Sequence, residues 1–360
     1  MPLPMKDIEE TLFRLVSLGL GNDIDTTYTE NVNWEKVYDM ASRQGLAAIC
    51  MDGLQHLQLQ ADITDKAIKL GWIAAVIKQE QTYNAQWRAA KSLAEIYKKY
   101  GISTYVMKGF SLSRLYPIPK HRPCTDMDCF LMYNGDSAYE YGNKMAKENG
   151  LGVDCSYYKH SKIYMKGLTV ENHRYLLPVK GSRRVKEFER RLCKWIDDGN
   201  NEYIDDSRLK ATSPFFDTVY VLAHAQEHFL SEGLTLRHVC DWAMILKAYA
   251  SSVDWNEWKC VCKEYGMLSF GYAMSRLAYK ACGVTAPFEC PTNDEADRRL
   301  LNDTLYRKTP KTNRTDLQTR IDLVKGMFTD SWKYRMFSDT NSLMFCGRRV
   351  WGYLFDKDLD

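Results

Sequence analysis

The chain has 360 residues, 45% of them apolar and 26% charged, with a formal net charge of +3. That length and balance describe an ordinary folded protein of two or three domains with ample core. The charge is too small to imply a nucleic-acid or membrane partner by itself, and no apolar run approaches the roughly 20 residues needed to span a bilayer.

The first residues, Met1-Pro2-Leu3-Pro4-Met5-Lys6-Asp7, turn charged before an apolar stretch develops, unlike a signal peptide. The eleven cysteines are scattered, with only Cys260 and Cys262 close together and no zinc-ligand spacing. Reduced thiols and a cytoplasmic location are the expectation. Residues 5 to about 100 read as helical. Asn33 can cap a helix carrying Trp34, Val37, Tyr38 and Ala41, with Gly45 as its stop. A long helix follows from about Ile63 to Tyr100, and Gly101 is placed to end it.

The period then changes. Ile102 to Met107 is a short β-rich run leading into Lys108-Gly109. Phe110 to Tyr116 suits one or two helical turns, stopped by Pro117 and Pro119. A strand from Asp126 comes next, then a helix over 136–149. Two strands over about 153–165 and 168–177 flank a Lys166-Gly167 hairpin turn. From about Arg183 onward the pattern is helical again, interrupted near Pro287–Pro291 and Thr309–Arg314. The expected class is α+β: an N-terminal helical region over 1–100, a small mixed-sheet α/β core over 101–180, and a C-terminal helical domain over 181–360.

The chemistry concentrates in Thr125-Asp126-Met127-Asp128-Cys129-Phe130-Leu131. Side chains at i and i+2 of a strand share a face, so Asp126 and Asp128 emerge together while Met127, Cys129 and Leu131 point the other way. Two adjacent carboxylates repel unless a cation lies between them, which asks for a divalent metal. Glu171 and His173 share one face of a later strand, opposite Val170 and Asn172. If that strand lies beside the first, Asp126, Asp128 and Glu171 can hold two Mg²⁺ ions, or Mn²⁺, for in-line transfer of a phosphoryl or nucleotidyl group. The turn at Lys108-Gly109 offers backbone N–H groups to a polyphosphate, Lys108 adds charge, and Ser111 adds a hydroxyl. Arg122 is placed to steady a triphosphate.

Val106-Met107-Lys108-Gly109, Leu115-Tyr116-Pro117, Arg122-Pro123 and Asp126-Met127-Asp128-Cys129-Phe130-Leu131 together resemble the uncharacterised nucleotidyltransferase family of the polymerase-beta-like superfamily. Glu171-Asn172-His173 is similar to its acidic-x-His element. His224-Ala225-Gln226-Glu227-His228 with Leu236-Arg237-His238-Val239-Cys240-Asp241 resembles its helical H-x-x-x-H…L-R…D segment. The resemblance covers most of residues 30–250. It implies transfer of a nucleoside monophosphate from an NTP such as ATP, with Mg²⁺ at Asp126, Asp128 and Glu171. The wider superfamily's Gly-Ser or Gly-Gly turn is here Lys-Gly-Phe-Ser, and the superfamily includes inactive members.

Other readings compete. His224, Glu227 and His228 also satisfy the H-x-x-E-H pattern of zinc peptidases, with Asp241 or Glu257 as nominal third ligands. A helix whose two histidines bond to neighbouring helices is the commoner outcome. His173, the His pair and Asp241 can be structural, bracing the helical domain or lining an acceptor pocket. The basic residues Lys180, Arg183, Arg184, Lys186, Arg190, Arg191 and Lys194 read as a solvated helix face or as a surface for tRNA. A second basic stretch runs from Arg307 and Lys308 through Lys311 and Arg314 to Arg320. Trp332, Tyr334, Trp351 and Tyr353 read as core or interface. An inactive nucleotide-binding module, such as one half of a toxin–antitoxin pair, is a different class of function. The acceptor, whether a small molecule, tRNA or protein, is set by pocket shape and not by motif.

Overall fold

The computed structural model describes residues 5–22, 32–57, 63–124, 126–165, 168–180, 182–307, 329–340, 343–344 and 347. Thr125, the Lys166-Gly167 turn, the interruption at Thr309–Arg314, the second basic stretch beyond Arg307, Trp351 and Tyr353 lie outside the described residues.

Four helices come first: α1 (Met5–Gly19), α2 (Trp34–Arg43), α3 (Ala47–His56) and α4 (Lys66–Lys98). Asn33 caps α2 by accepting from the Lys36 N–H at 3.1 Å. Gly45 and Gly101, just past the ends of α2 and α4, take φ of +71° and +72°, the left-handed stop that glycine enters without a Cβ penalty. The α/β region continues with β1 (Ser103–Met107), α5 (Lys108–Ser113), a single 3₁₀ turn (Pro119–His121), β2 (Met127–Tyr133), β3 (Asp136–Ser137), α6 (Tyr139–Glu148), β4 (Gly152–Asp154), β5 (His160–Met165) and β6 (Leu168–His173). Then follow α7 (Arg183–Trp195), β7 (Leu209–Ala211), α8 (Pro214–Ser231), α9 (Leu236–Ala248), α10 (Trp255–Glu264), α11 (Leu268–Cys282), α12 (Asp294–Tyr306) and a last described helix, Ser331–Phe337.

The strands form one mixed sheet in the order β4-β5-β6-β2-β1-β7, with β3 paired to β2. β1 and β2 are antiparallel, whereas β2 and β6 run parallel, with Asp128 opposite Glu171. Three features depart from the sequence expectation. The first expected hairpin strand is two strands, β4 and β5, with Cys155–Lys159 between them. β7 lies in the stretch read as helical and joins β1 in parallel. The residues expected to open α6 instead form β3, because Asn134 and Gly135 both take positive φ, +51° and +87°. That Asn-Gly pair makes the two-residue turn that suits a hairpin's twist.

The sheet separates two cores. Met127, Cys129 and Leu131 of β2, Val106 of β1 and Val170 of β6 pack on one side with Leu93 and Tyr97 of α4. Tyr105, Met107 and Phe130 face the other side, into a larger core built by helices from both ends of the chain. Asp128, Glu171 and His173 alternate onto that second side. No described helix is long and apolar enough to cross a membrane.

His121 fastens the 3₁₀ turn to two helices. Its Nδ1 lies 2.8 Å from Asp52 on α3 and its Nε2 2.8 Å from Glu80 on α4. Burial opposes the imidazolium, but the hydrogen bonds and charges of Asp52 and Glu80 outweigh it and raise its pKa. A raised folded-state pKa contributes stability that is complete below the unfolded value of about 6.5 and fades as pH climbs through the folded value. His121→Gln should therefore lose more stability near pH 6 than near pH 9 in urea unfolding. An equal loss at both would show that charge plays no part.

Candidate active site

Lys108 leaves β1 with φ of +51°, a left-handed conformation that costs a residue with a Cβ roughly 1–3 kcal/mol. The bend aims its ammonium across the β1–β2 pair, where Nζ lies 2.7 Å from Asp128 Oδ1. His173 Nε2 lies 2.7 Å from the same oxygen, while its Nδ1 faces the Tyr175 carbonyl at 3.1 Å. All three side chains are largely buried. Burial opposes ionisation of Asp128, yet Lys108 and His173 hold its carboxyl far below the ordinary range. Asp128 stays charged in the core for that reason.

Glu171 is beside Asp128 on the parallel neighbour. Burial, followed by the charges of Asp128 and Asp126, pushes its carboxyl up to about 7. His160 Nε2 is 3.3 Å from Glu171 Oε1. Burial and then the neighbouring His173 ring bring His160 down to about 4. Among the described residues, the set with ligand atoms all within 4.8 Å of one another is His160, Glu171 and His173. The three carboxylates thus share a cavity without forming one tight cage. His160 was missed in the sequence. Counting outward from a turn at Lys166-Gly167 places it opposite His173, as the β5–β6 register does.

Asp126 is exposed, just before β2, and lines the same cavity as Asp128 and Glu171. This cavity has a volume of about 1210 Å³. The sheet and the α5 turn supply one wall, including Lys108 and Gly109; α8 and α9 supply the other, including His224, Glu227, His228 and Arg237.

Two residues expected to touch phosphate are placed otherwise. Ser111 is fully buried, its hydroxyl has no hydrogen-bond partner, and it is not among the residues lining the cavity. The short α5 turns that face inward against the core. Arg122 does reach the cavity, but its guanidinium is committed: Nε and Nη2 donate to the two Asp241 oxygens at 3.0 and 2.6 Å. Nη1 donates to the Pro123 carbonyl at 2.8 Å. Tyr116 donates to the same Asp241 at 2.7 Å. Gly109 is needed beneath this pair, since a Cβ there would stand 2.1 Å from Arg122 Nη1. Gly109, Tyr116, Arg122 and Asp241 are therefore one buried brace between the sheet region and α9.

The brace also removes Asp241 as a zinc ligand for His224 and His228, whose rings are 4.5 Å apart. Glu257 is exposed on the first turn of α10 and does not line the cavity. On α7, Arg184 bonds to Asp339 and the Glu264 carbonyl, and Arg191 pairs with Glu264 at 2.7 Å. Arg184 and Arg191 of that basic run thus hold α7 to its neighbours.

The family model for an uncharacterised nucleotidyltransferase matches residues 30–283, from α2 to the end of α11. The chain belongs to this nucleotidyltransferase family. No curated protein and no solved structure gives a significant match. The nucleotidyltransferase match takes in the sheet, the whole cavity-lining part of α8 and α9, and both partners of the Arg122–Asp241 brace.

Removing one partner of a buried ion pair strands the other charge. Asp241→Ala should cost about 3–5 kcal/mol in chemical denaturation, and Arg122→Met combined with Asp241→Leu should recover part of it. Equal losses in the single and double variants would argue against coupling.

Proposed function

We propose that the protein transfers a nucleoside monophosphate from an NTP to an acceptor hydroxyl in a Mg²⁺-dependent reaction. The observation that carries this reading is the opening of Asp126, Asp128 and Glu171 onto one cavity, with the Glu171 carboxyl raised to about 7 by burial and by the two aspartates. Three carboxylates lining one cavity suit a hard divalent cation, and the oxygen donors are those Mg²⁺ or Mn²⁺ takes. Asp126, Asp128 and Glu171 would hold it. When bound, such an ion neutralises phosphate charge and polarises the phosphoryl oxygens.

In the reaction, the acceptor oxygen forms a bond to the α-phosphorus as the bond from that phosphorus to the β-bridging oxygen breaks. Pyrophosphate leaves, and the hydroxyl proton passes to a base. Glu171, with its carboxyl near neutrality, is matched to that step. Small-molecule pockets enclose roughly 300–1,000 Å³. At about 1210 Å³, this one has room for a nucleotide and a small acceptor, or the end of a larger one, together.

Nucleotide binding without turnover is the second reading. What favours it is Asp128, whose Oδ1 already faces both Lys108 and His173 at 2.7 Å.

Incubation with each α-labelled NTP and Mg²⁺ or Mn²⁺ in a cell extract tests the two. The expected result is a labelled acceptor, lost in Asp126→Asn with circular dichroism and melting unchanged. Transfer by that variant at the wild-type rate overturns the assignment; NTP binding with no labelled product selects the second reading.

A further inference from the structure

Lys159 precedes β5 and lines the cavity, with only 9% of its surface exposed. Its carbonyl accepts from the Arg174 and Tyr175 N–H groups at 2.9 and 3.0 Å, which pins the residue beside the β5–β6 pair. Its ammonium has no hydrogen-bond or ion-pair partner among the described residues. Burial depresses its pKa, and the nearby charges of Glu227, Asp128 and Glu189 do not make up the difference. A charge held out of water without a counter-ion is costly, so its retention here asks what completes it.

Two other cations near the carboxylates are engaged, while Lys162, opposite Glu171 on β5, is exposed to solvent. Lys108 is bonded to Asp128 and Arg122 to Asp241. Across the cavity two more nitrogens are buried without partners, His224 Nδ1 on α8 and Arg237 Nε on α9. Uncommitted nitrogens on opposite walls, beside a carboxylate site, define a place for an anion rich in acceptor oxygens.

We propose that Lys159 is the phosphate-binding cation of this cavity, and that its ammonium holds the β- and γ-phosphates of the NTP. The assignment rests on the nucleotidyl-transfer reading. When the α-phosphorus leaves the bridging oxygen, the electron pair of the broken bond stays on pyrophosphate, and Lys159 balances that charge without giving up a proton.

Calorimetric titration of the full chain with pyrophosphate, with glycerol phosphate as a phosphomonoester control, tests this. Lys159→Met should weaken pyrophosphate binding roughly tenfold or more, while Lys159→Arg keeps most of it. Without ligand, Lys159→Met should also melt above wild type, since it replaces an unpaired buried charge by an apolar chain of similar length. Undiminished pyrophosphate binding by Lys159→Met overturns the proposal. So does selective loss of glycerol phosphate binding, which would place the acceptor's phosphate there. A fall in melting temperature shared by Lys159→Met and Glu227→Gln would likewise overturn it, making the pair structural. Binding does not require turnover. Lys159-dependent pyrophosphate binding with no nucleotide transfer would therefore sink the transfer reading and leave the anion site standing.

Discussion

One carboxylate oxygen organises this molecule. Asp128 Oδ1 is shared by a lysine from the end of β1 and a histidine from the end of β6, so three neighbouring strands are tied at one point. A buried carboxylate is tolerable only when its lone pairs are met, and here both partners come from strands that pair directly with β2. The strained Lys108 backbone follows from the same demand. An ordinary strand-to-helix exit would not direct its side chain back over the sheet. Site and sheet are thus specified together, and a change that loosens one will be felt in the other.

The second organising contact lines the same cavity and serves a different end. Arg122 and Asp241 meet in a two-pronged pair whose planar geometry matches guanidinium to carboxylate. Tyr116 adds a third bond, and the missing side chain of Gly109 leaves the space. Several letters of the family pattern therefore describe an architectural joint. They set the distance between the sheet and α9, and so the width of the cavity between them.

Local physics made much of this legible. The change from helical to alternating period at Ile102, the glycines that stop α2 and α4, and the two faces of β2 are all written in short-range pattern. The face that Glu171 shares with His173 was readable too, whereas its place opposite Asp128 depended on β6 lying beside β2. What could not be read depended on contacts far apart in the chain. Arg122 looked like a phosphate ligand because its partner lies 119 residues on, and Ser111 looked available because nothing local says which side of a short helix is covered. β7 has three residues, too few for a periodic signal, and takes its structure from β1. His160 and the Asn134-Gly135 turn are different. Both were readable from hairpin counting and turn chemistry.

The larger core joins the two ends of the chain. Ser17 on α1 donates to the carbonyl of Cys282 at the end of α11, at 3.2 Å, and Asn22 donates to it at 2.9 Å. Leu12, Val16 and Leu20 share that core with Ala278 and Ala281. Part of the α1 apolar stripe is therefore covered by a helix more than 260 residues further on, while α3 covers another part. Closing so long a loop is slow. Until that distant partner docks, α1 and α3 can shelter against one another.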